Sequence, residues 1–167
     1  TDTGKTQTEL IIPYKINGKE ITNLYFRSAP ISILNGNNVI TKVIIPNSVT
    51  SIGSHAFYDC TSLTSIIIPN SVTSIGSNAF GGCTSLRSIN IPNSVTFIGE
   101  YAFHDCTSLT SINIPNSVTS INSSAFGYCT SLTSINIPNS VTYIEDDVFH
   151  VYDDESGSYV PIPGLTI

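Results

Sequence analysis

The sequence predicts a right-handed solenoid, mainly β or α/β in class, in which 23-residue coils stack on one another. Several residue types recur every 23 positions, and 17 of the 23 residues in 92–114 are identical to those in 115–137. Such self-similarity indicates a repeat architecture, because one coil cannot bury its apolar face alone. The recurring residues are Pro46, Pro69, Pro92, Pro115 and Pro138; Phe57, Phe80, Phe103, Phe126 and Phe149; Cys60, Cys83, Cys106 and Cys129; and Leu63, Leu86, Leu109 and Leu132.

The first element of each coil is predicted to be a strand. In the segment Ser65–Ile68, two-residue alternation directs Ile66 and Ile68 to the core and leaves the other two side chains at the surface. Pro69 follows and has no N–H group to donate to a ladder, so the strand ends before it. We expect equivalent strands to pair in parallel about 4.8 Å apart, as one sheet on the concave face of the solenoid.

The remainder of each coil has a different spacing. Val72 and Ile75 lie three positions apart, and Ala79, Phe80 and Cys83 follow at steps of one and three. This spacing favours turns, or a short 3₁₀ or helical piece, over further strands. We therefore expect short helical or irregular turns on the convex face. A three-sided parallel β-helix is the alternative architecture, because it also stacks coils of about this length.

The asparagine after each repeated proline is expected to form a ladder. Residues at equivalent positions of successive coils, which we call residues of one phase, stack in columns. Stacked amide side chains hydrogen-bond along such columns and also hydrogen-bond to the backbone groups of the turns. The column consists of Asn47, Asn70, Asn93, Asn116 and Asn139.

Both ends of the chain depart from the period. Pro13 and Pro46 are 33 residues apart, whereas Pro161 returns to register with Pro138 and predicts a last strand over Ser158–Val160. Terminal repeats are often atypical because they cover an open core. We therefore divide one continuous solenoid domain into a divergent N-terminal repeat or cap (1–45), regular repeats (46–149) and a degenerate C-terminal repeat or cap (150–167). The alternative is a segment of a longer array.

The repeated string resembles that of a known family. It reads Leu-x-x-Ile-x-Ile-Pro-x-x-Val-Thr-x-Ile-Gly-x-x-Ala-Phe-x-x-Cys over Ile40–Phe149, and this is similar to the BspA-like, or Treponema pallidum type, leucine-rich repeat. A weaker likeness extends to Glu9, where Leu10–Thr22 resembles the longer first repeat of such proteins. The resemblance implies a secreted or cell-surface protein of a bacterium or microbial eukaryote, with a role in attachment to host proteins and cells or in aggregation with other microbes. It implies no catalytic motif.

Charge and hydropathy restrict the range of partners. The formal net charge is −6 and no run of 18 apolar residues occurs, so binding to nucleic acid and a membrane-spanning segment are both disfavoured. The sequence begins at Thr1 without a signal peptide, so location follows from the resemblance only.

Charge is distributed unevenly along the chain. Residues 1–42 carry five basic and three acidic side chains, and residues 43–167 carry one basic and nine acidic side chains. This asymmetry makes head-to-tail self-association through the solenoid ends conceivable.

The four cysteines are predicted to be reduced, buried and metal-free. They share one phase, so their Cβ atoms point in parallel, which suits neither disulfide geometry nor tetrahedral zinc. Buried cysteine is also a small apolar residue in its own right. Their even number follows from the repeat and does not indicate a disulfide framework.

No cofactor or metal site is expected. Six carboxylates within 11 residues could supply oxygens to Ca²⁺, but their spacing does not follow the calcium-loop pattern. A solvated cap that blocks end-to-end stacking explains the cluster better. The acidic cluster consists of Glu145, Asp146, Asp147, Asp153, Asp154 and Glu155.

No nucleophile elbow, phosphate loop or carboxylate pair in a predicted cleft is present, so we expect no enzyme.

The coils differ from one another mainly in the segment after the strand. Large aromatic residues are enriched there, and aromatic residues frequently anchor interfaces. We predict that a protein partner engages these variable positions, although drift at tolerant loop positions is the alternative explanation. The concave sheet is the alternative footprint, because leucine-rich repeats most often bind there. The predicted footprint is Phe97, Tyr101, His104, Tyr128 and Tyr143, and the alternative one is Ser65, Ile67, Asn90, Asn113 and Asn136.

Two functions remain open. The first is a non-catalytic protein-binding module that adheres to host or matrix proteins or to other cells. The second is a structural spacer or self-associating surface-layer component, motivated by the monotonous Ser/Asn sheet face and the uneven charge. The full-length gene product would separate the two through its targeting and anchoring segments.

Overall fold

A computed structural model describes residues 8–24 and 35–167 and shows a parallel-strand solenoid. The prediction of a stacked-coil architecture is confirmed. The strands within the described residues are β1 Glu9–Ile11, β2 Lys15–Ile16, β3 Lys19–Glu20, β4 Asn23–Leu24, β5 Lys42–Ile44, β6 Ser51–Ile52, β7 Ser65–Ile67, β8 Ser74–Ile75, β9 Ser88–Asn90, β10 Phe97–Ile98, β11 Ser111–Asn113, β12 Ser120–Ile121, β13 Tyr143–Ile144, β14 His150–Asp153 and β15 Ser158–Pro161.

The predicted strands form what we call the long-strand sheet. Parallel ladders join β1 to β5 and β5 to β7, and another joins β9 to β11; β7 and β9 pack together without pairing. Ser65, Ile66 and Ile67 are paired with residues 23 positions earlier. Ile66 and Ile68 are buried while Ile67 is exposed, and the strand ends before Pro69. The alternation inferred from sequence therefore holds in the structure.

A second parallel sheet corrects the expectation of one sheet per solenoid. Six two-residue strands follow the order β13-β12-β10-β8-β6-β4, and we call this the short-strand sheet. From β6 onward its register also advances by 23 residues, as in the pair Ile52 and Ile75, whereas β4 pairs with β6 across 28 residues. The Thr that precedes each strand extends the ladder, since the Thr73 hydroxyl donates to the Thr50 carbonyl at 3.2 Å. Two residues are too few to produce a recognisable alternation, so the spacing did not indicate these strands.

The return segment consists of turns, and the described part of the chain contains no helix. Of the two forms that the spacing favoured, short helical pieces and irregular turns, the return segment adopts the irregular turns. In the described residues, each regular coil contributes to two strand faces and one stack of turns: the long-strand face has the ladders β1-β5-β7 and β9-β11, and the short-strand sheet is the other. A three-sided β-helix would have a third strand face.

The core is a set of apolar columns that run the length of the stack. The five repeated phenylalanine rings lie nearly parallel, with centroids 5.2 to 5.6 Å apart. Phe57, Phe80, Phe103 and Phe126 are fully buried, and Phe149 is almost so. Isoleucine, valine, leucine, alanine and cysteine columns surround them. Each coil thereby buries the face that it could not bury alone.

Hydroxyl groups, rather than amides, form the polar ladders. The Ser71 hydroxyl donates to the Val49 carbonyl at 2.6 Å, and Ser94 repeats this contact with Val72. The predicted asparagine ladder is wrong: Asn70 and its equivalents are exposed, and no side-chain hydrogen bond of theirs occurs among the described residues. The short Ser and Thr side chains lie beside the previous coil's carbonyls, whereas Asn in the turn points to solvent.

A hairpin occurs at each end of the solenoid. Near the N-terminus, β2 and β3 are joined by Asn17 and Gly18, both with positive φ, as a type I′ turn requires. Near the C-terminus, β15 pairs antiparallel with β14. The prediction of a last strand near Ser158 is thus right in position, but the strand belongs to a hairpin and does not extend the parallel stack. Thr166 then returns to pair with Ser134.

Candidate binding surface

The stacked turns form a surface of their own, which we call the turn surface. It comprises residues 54–60 and their equivalents 77–83, 100–106, 123–129 and 146–152. Backbone hydrogen bonds cross it from coil to coil, as when Phe57 N donates to Ala79 O and Asp59 N to Gly81 O, both at 2.8 Å. These bonds hold the variable side chains in register, so residues of one phase lie side by side.

Two positions in each regular turn adopt left-handed backbone. The first includes Asn78 with φ 54° and the second includes Gly82 with φ 74°. Asn, Asp and Gly tolerate this conformation, but it is rare for bulky residues. Tyr101 and Tyr128 nevertheless occupy the two positions, with φ of 56° and 59°. Left-handed backbone costs a tyrosine about 1–2 kcal/mol.

The structure brings three of the five predicted binding residues together. The His104 ring lies between Tyr101, at a centroid distance of 5.3 Å, and Tyr128, at 5.1 Å. The Tyr128 hydroxyl accepts a hydrogen bond from Tyr152 N at 3.1 Å, and His104 Nδ1 lies 3.2 Å from Asp105 Oδ2. These contacts join the three rings into one packed aromatic cluster on the turn surface.

The other two predicted residues lie on the short-strand sheet. Phe97 is in β10 and is 45% exposed, while Tyr143 is in β13 and is 59% exposed. Ser120 pairs with Tyr143 in the strand between them. The predicted footprint therefore divides into an aromatic cluster on the turn surface and two exposed rings on an adjoining sheet.

The alternative footprint lies on the long-strand sheet, and all five of its residues are exposed. Asn90, Asn113 and Asn136 stack in one column, joined by parallel pairing. A shallow depression of about 300 Å³ follows Ser88–Asn90 and Ser111–Asn113. Ile67 is 50% exposed and is the one large apolar side chain of this footprint.

One phase of the turn surface alternates between ring and glycine, and the sequence analysis missed its meaning. The order is Tyr58, Gly81, His104, Gly127 and His150. A Cβ on Gly81 would lie 3.2 Å from the Tyr58 ring, and one on Gly127 would lie 2.9 Å from the His104 ring. Each ring leans over the next coil, where glycine leaves the ring the most room. The alternation itself was visible in the sequence and could have revealed this packing.

The cysteines end the turn segments and are buried, as predicted, with their side chains in the core. Cys83 Sγ lies 3.2 Å from the Phe57 carbonyl in a hydrogen-bond geometry, and Cys106 and Cys129 repeat this contact with the preceding coil. Burial raises the pKa of Cys129 to about 12 and that of Cys106 well above its ordinary value. Because the thiolate is the nucleophile and the metal ligand, this environment suppresses both kinds of chemistry.

In the acidic cluster near the C-terminus, carboxylates accept hydrogen bonds from backbone N–H groups. Glu145 Oε2 accepts from Ser123 N at 2.7 Å, and the Asp153 carboxylate accepts from Glu155 N and Ser156 N in the hairpin turn. Hydrogen bonding by the Ser156 side chain, and then by Glu155 N, lowers the pKa of Asp153. Across residues 8–24 and 35–167, no three His, Cys, Asp or Glu side chains are grouped so that they could hold a metal ion.

Comparison with known proteins establishes the family. The model of the BspA-type leucine-rich repeat region matches residues 14–153 with six copies. The chain belongs to the BspA-type leucine-rich repeat family. Leucine-rich repeats serve as protein-interaction modules, because stacked repeats present extended binding surfaces. In the part of this BspA-type protein that the structure describes, no helix has the length and hydropathy to cross a membrane.

Solved structures share the fold. A Treponema pallidum leucine-rich repeat protein superposes with a TM-score of 0.70 at 28% identity, covering 85% of this chain and 71% of that one. A leucine-rich cell surface protein of Faecalibacterium prausnitzii gives 0.65 at 28% identity, covering 95% of this chain and 54% of that one. The pneumococcal vaccine antigen PcpA shows the same fold, with a TM-score of 0.64 at 23% identity and coverage of 89% and 39%. No curated protein sequence matches this BspA-type chain.

Proposed function

We propose that this chain is a non-catalytic protein-binding module of a secreted or cell-surface protein, and that it attaches to host or matrix proteins or to other cells. The family supports binding, and the F. prausnitzii relative, at 28% identity, is described as a cell surface protein. The chain spans about half of that relative's length.

The observation that carries the proposal is the placement of Tyr101 and Tyr128. Both occupy left-handed backbone that the other coils fill with Asn, Asp, Gly, Ser or His, and both contact the His104 ring. Strained backbone conformations cluster at functional sites, which supports a binding role for these two residues. Tyrosine also offers a large contact area with a polar handle at a low entropic cost, so the aromatic cluster is the binding surface that we favour.

Two triple variants test the site. One changes Phe97, Tyr101 and Tyr128 to Ser, and the other changes Asn90, Asn113 and Asn136 to Lys. Binding of labelled protein to cultured epithelial cells and to wells coated with extracellular matrix is measured for both and for the parent chain. We expect the aromatic variant to lose binding and the Lys variant to keep it.

Controls separate loss of binding from loss of folding. Both variants must retain the cooperative thermal unfolding of the parent chain. If only the Lys variant loses binding, the partner uses the long-strand sheet and the proposed surface is wrong. If the parent chain binds neither cells nor matrix, the adhesive role is wrong.

A structural spacer or self-associating surface component is the second candidate. One observation favours it: Ile144, at the outer edge of the short-strand sheet, is 44% exposed, whereas its equivalent Ile121 is fully buried. An uncovered edge strand can pair with another chain, and the opposite net charges of residues 1–42 and 43–167 would orient such a contact. Sedimentation velocity at low and high salt tests this role, which requires salt-sensitive oligomers at micromolar concentration.

A further inference from the structure

A cavity of about 290 Å³ opens on the turn surface. Its floor is formed by Gly81 and Gly82 of one coil, and its two sides by the coils before and after. A Cβ on Gly82 would lie 2.2 Å from an Asp59 carboxylate oxygen, so the cavity depends on glycine at that place. Two coils further along, Tyr128 occupies the phase of Gly82 and extends a ring over the surface instead.

Aromatic rings form the walls. Tyr58 stands on one side, and Tyr101 and His104 stand on the other. Each wall is braced by an edge-to-face contact within its own coil: Tyr58 contacts His55, which lies outside the cavity, at 5.4 Å, and Tyr101 contacts His104 at 5.3 Å. The backbones of the two wall coils are two coil steps apart, about 10 Å, and the cavity lies between the side chains of these coils.

Negative charge lines the rim. Asp59 and Asp105 both contribute to the lining, and no Lys or Arg among the described residues does so. Asp105 is 3.2 Å from His104, whereas Asp59 takes part in none of the ion pairs formed by the described residues. The cavity thus combines aromatic walls with a carboxylate that has no cationic partner within the described chain.

We infer that this cavity receives the guanidinium group of an arginine side chain presented by a protein partner. Cations bind over aromatic faces, and the planar guanidinium both stacks on rings and pairs with carboxylates through its fork of donors. The ammonium group of lysine offers the charge without the plane, and a neutral side chain offers neither attraction. The inference rests on the proposed binding function and adds to it the chemical group that the partner supplies.

The test uses small probes with the intact chain. N-acetyl-arginine amide, its lysine counterpart and the uncharged citrulline counterpart are titrated into ¹⁵N-labelled protein, and amide chemical shifts are recorded. We expect the arginine probe to shift the Gly81 and Gly82 signals saturably, the lysine probe to bind more weakly and the citrulline probe not to bind. Equal binding of citrulline, or shifts confined to other regions, would overturn the inference.

Matched variants test the contribution of the carboxylates. The double variant Asp59→Asn with Asp105→Asn should weaken arginine binding by roughly threefold to tenfold, as expected for the loss of two partly exposed charge pairs. The control variant, Asp154→Asn with Glu155→Gln, removes the same charge outside the cavity and should keep the parent affinity. Equal weakening in both variants would indicate a general charge effect and overturn the site.

The two proposals fail separately. Saturable arginine binding by a chain that binds neither cells nor matrix contradicts the adhesive function and leaves the cavity assignment standing. Binding to cells that persists while the arginine probe leaves Gly81 and Gly82 unaffected contradicts the cavity assignment alone.

Discussion

Replacing Tyr101 by Asn distinguishes a residue kept for binding from one kept for folding. Asn is the residue at the equivalent position 78, where φ is 54°, close to the 56° of Tyr101. The substitution therefore retains a backbone conformation that this turn already accommodates with Asn. It removes a phenol ring that is 39% exposed and that contacts His104 edge to face.

The opposing contributions nearly cancel. Relief of left-handed strain stabilises the variant by up to about 1–2 kcal/mol. Loss of the aromatic pair destabilises it by about 0.5–1.5 kcal/mol. We therefore expect the free energy of unfolding of Tyr101→Asn to lie within about 1 kcal/mol of the parent value, whereas truncation of a buried aromatic residue costs about 3–5 kcal/mol.

Urea unfolding followed by circular dichroism measures this difference by linear extrapolation. The reciprocal variant, Asn78→Tyr, is the control: it adds strain without an equivalent histidine partner and should lose about 1–2 kcal/mol. A loss of more than about 2 kcal/mol for Tyr101→Asn would exceed the sum of the contacts named here. Tyr101 would then be a structural residue, and the strain argument for the binding surface would be refuted.

Three further predictions concern the core and the close approach of coils. Phe103→Ala should cost about 3–5 kcal/mol in unfolding free energy. It should cost more than Phe149→Ala, because Phe103 stacks against two rings and Phe149 against one. Equal costs in urea unfolding would contradict the stabilising role of the phenylalanine column. Gly99→Ala should cost about 1–3 kcal/mol in unfolding free energy, because the new Cβ would lie 2.6 Å from the backbone of the preceding coil. Gly127→Ala should cost less, because its Cβ would meet the movable imidazole ring of His104. The same urea assay measures which substitution costs more. The four thiols should react with a thiol reagent only after denaturation, and four thiols reactive in the native protein would contradict this. The contribution of the thiols to stability should be complete below about pH 8 and should fall above the ordinary thiol pKa of 9.0. The reason is that burial raises the folded pKa of Cys129 to about 12, so the unfolded chain releases its thiol protons first.

The two ends of the chain show how far sequence patterns extend. The Asn17-Gly18 dipeptide is a strong hairpin signal, and it explains part of the long interval between Pro13 and Pro46. The C-terminal hairpin had no such signal, since the proline register around Ser158 suggested a parallel strand. Register in the sequence determines where a strand falls, but the partner of that strand depends on which edge remains uncovered.

The sequence by itself determined the coil length, the long strands and the inward columns of this protein. Those features follow from repeated local patterns, because alternation and a 23-residue period state which side chains face the core. Only the tertiary structure decided that Tyr128 reaches Tyr152 N and that a cavity remains above Gly82. These contacts depend on the sign of φ at the turns and on the direction in which each ring leans across the stack, and neither is encoded in the period of the sequence.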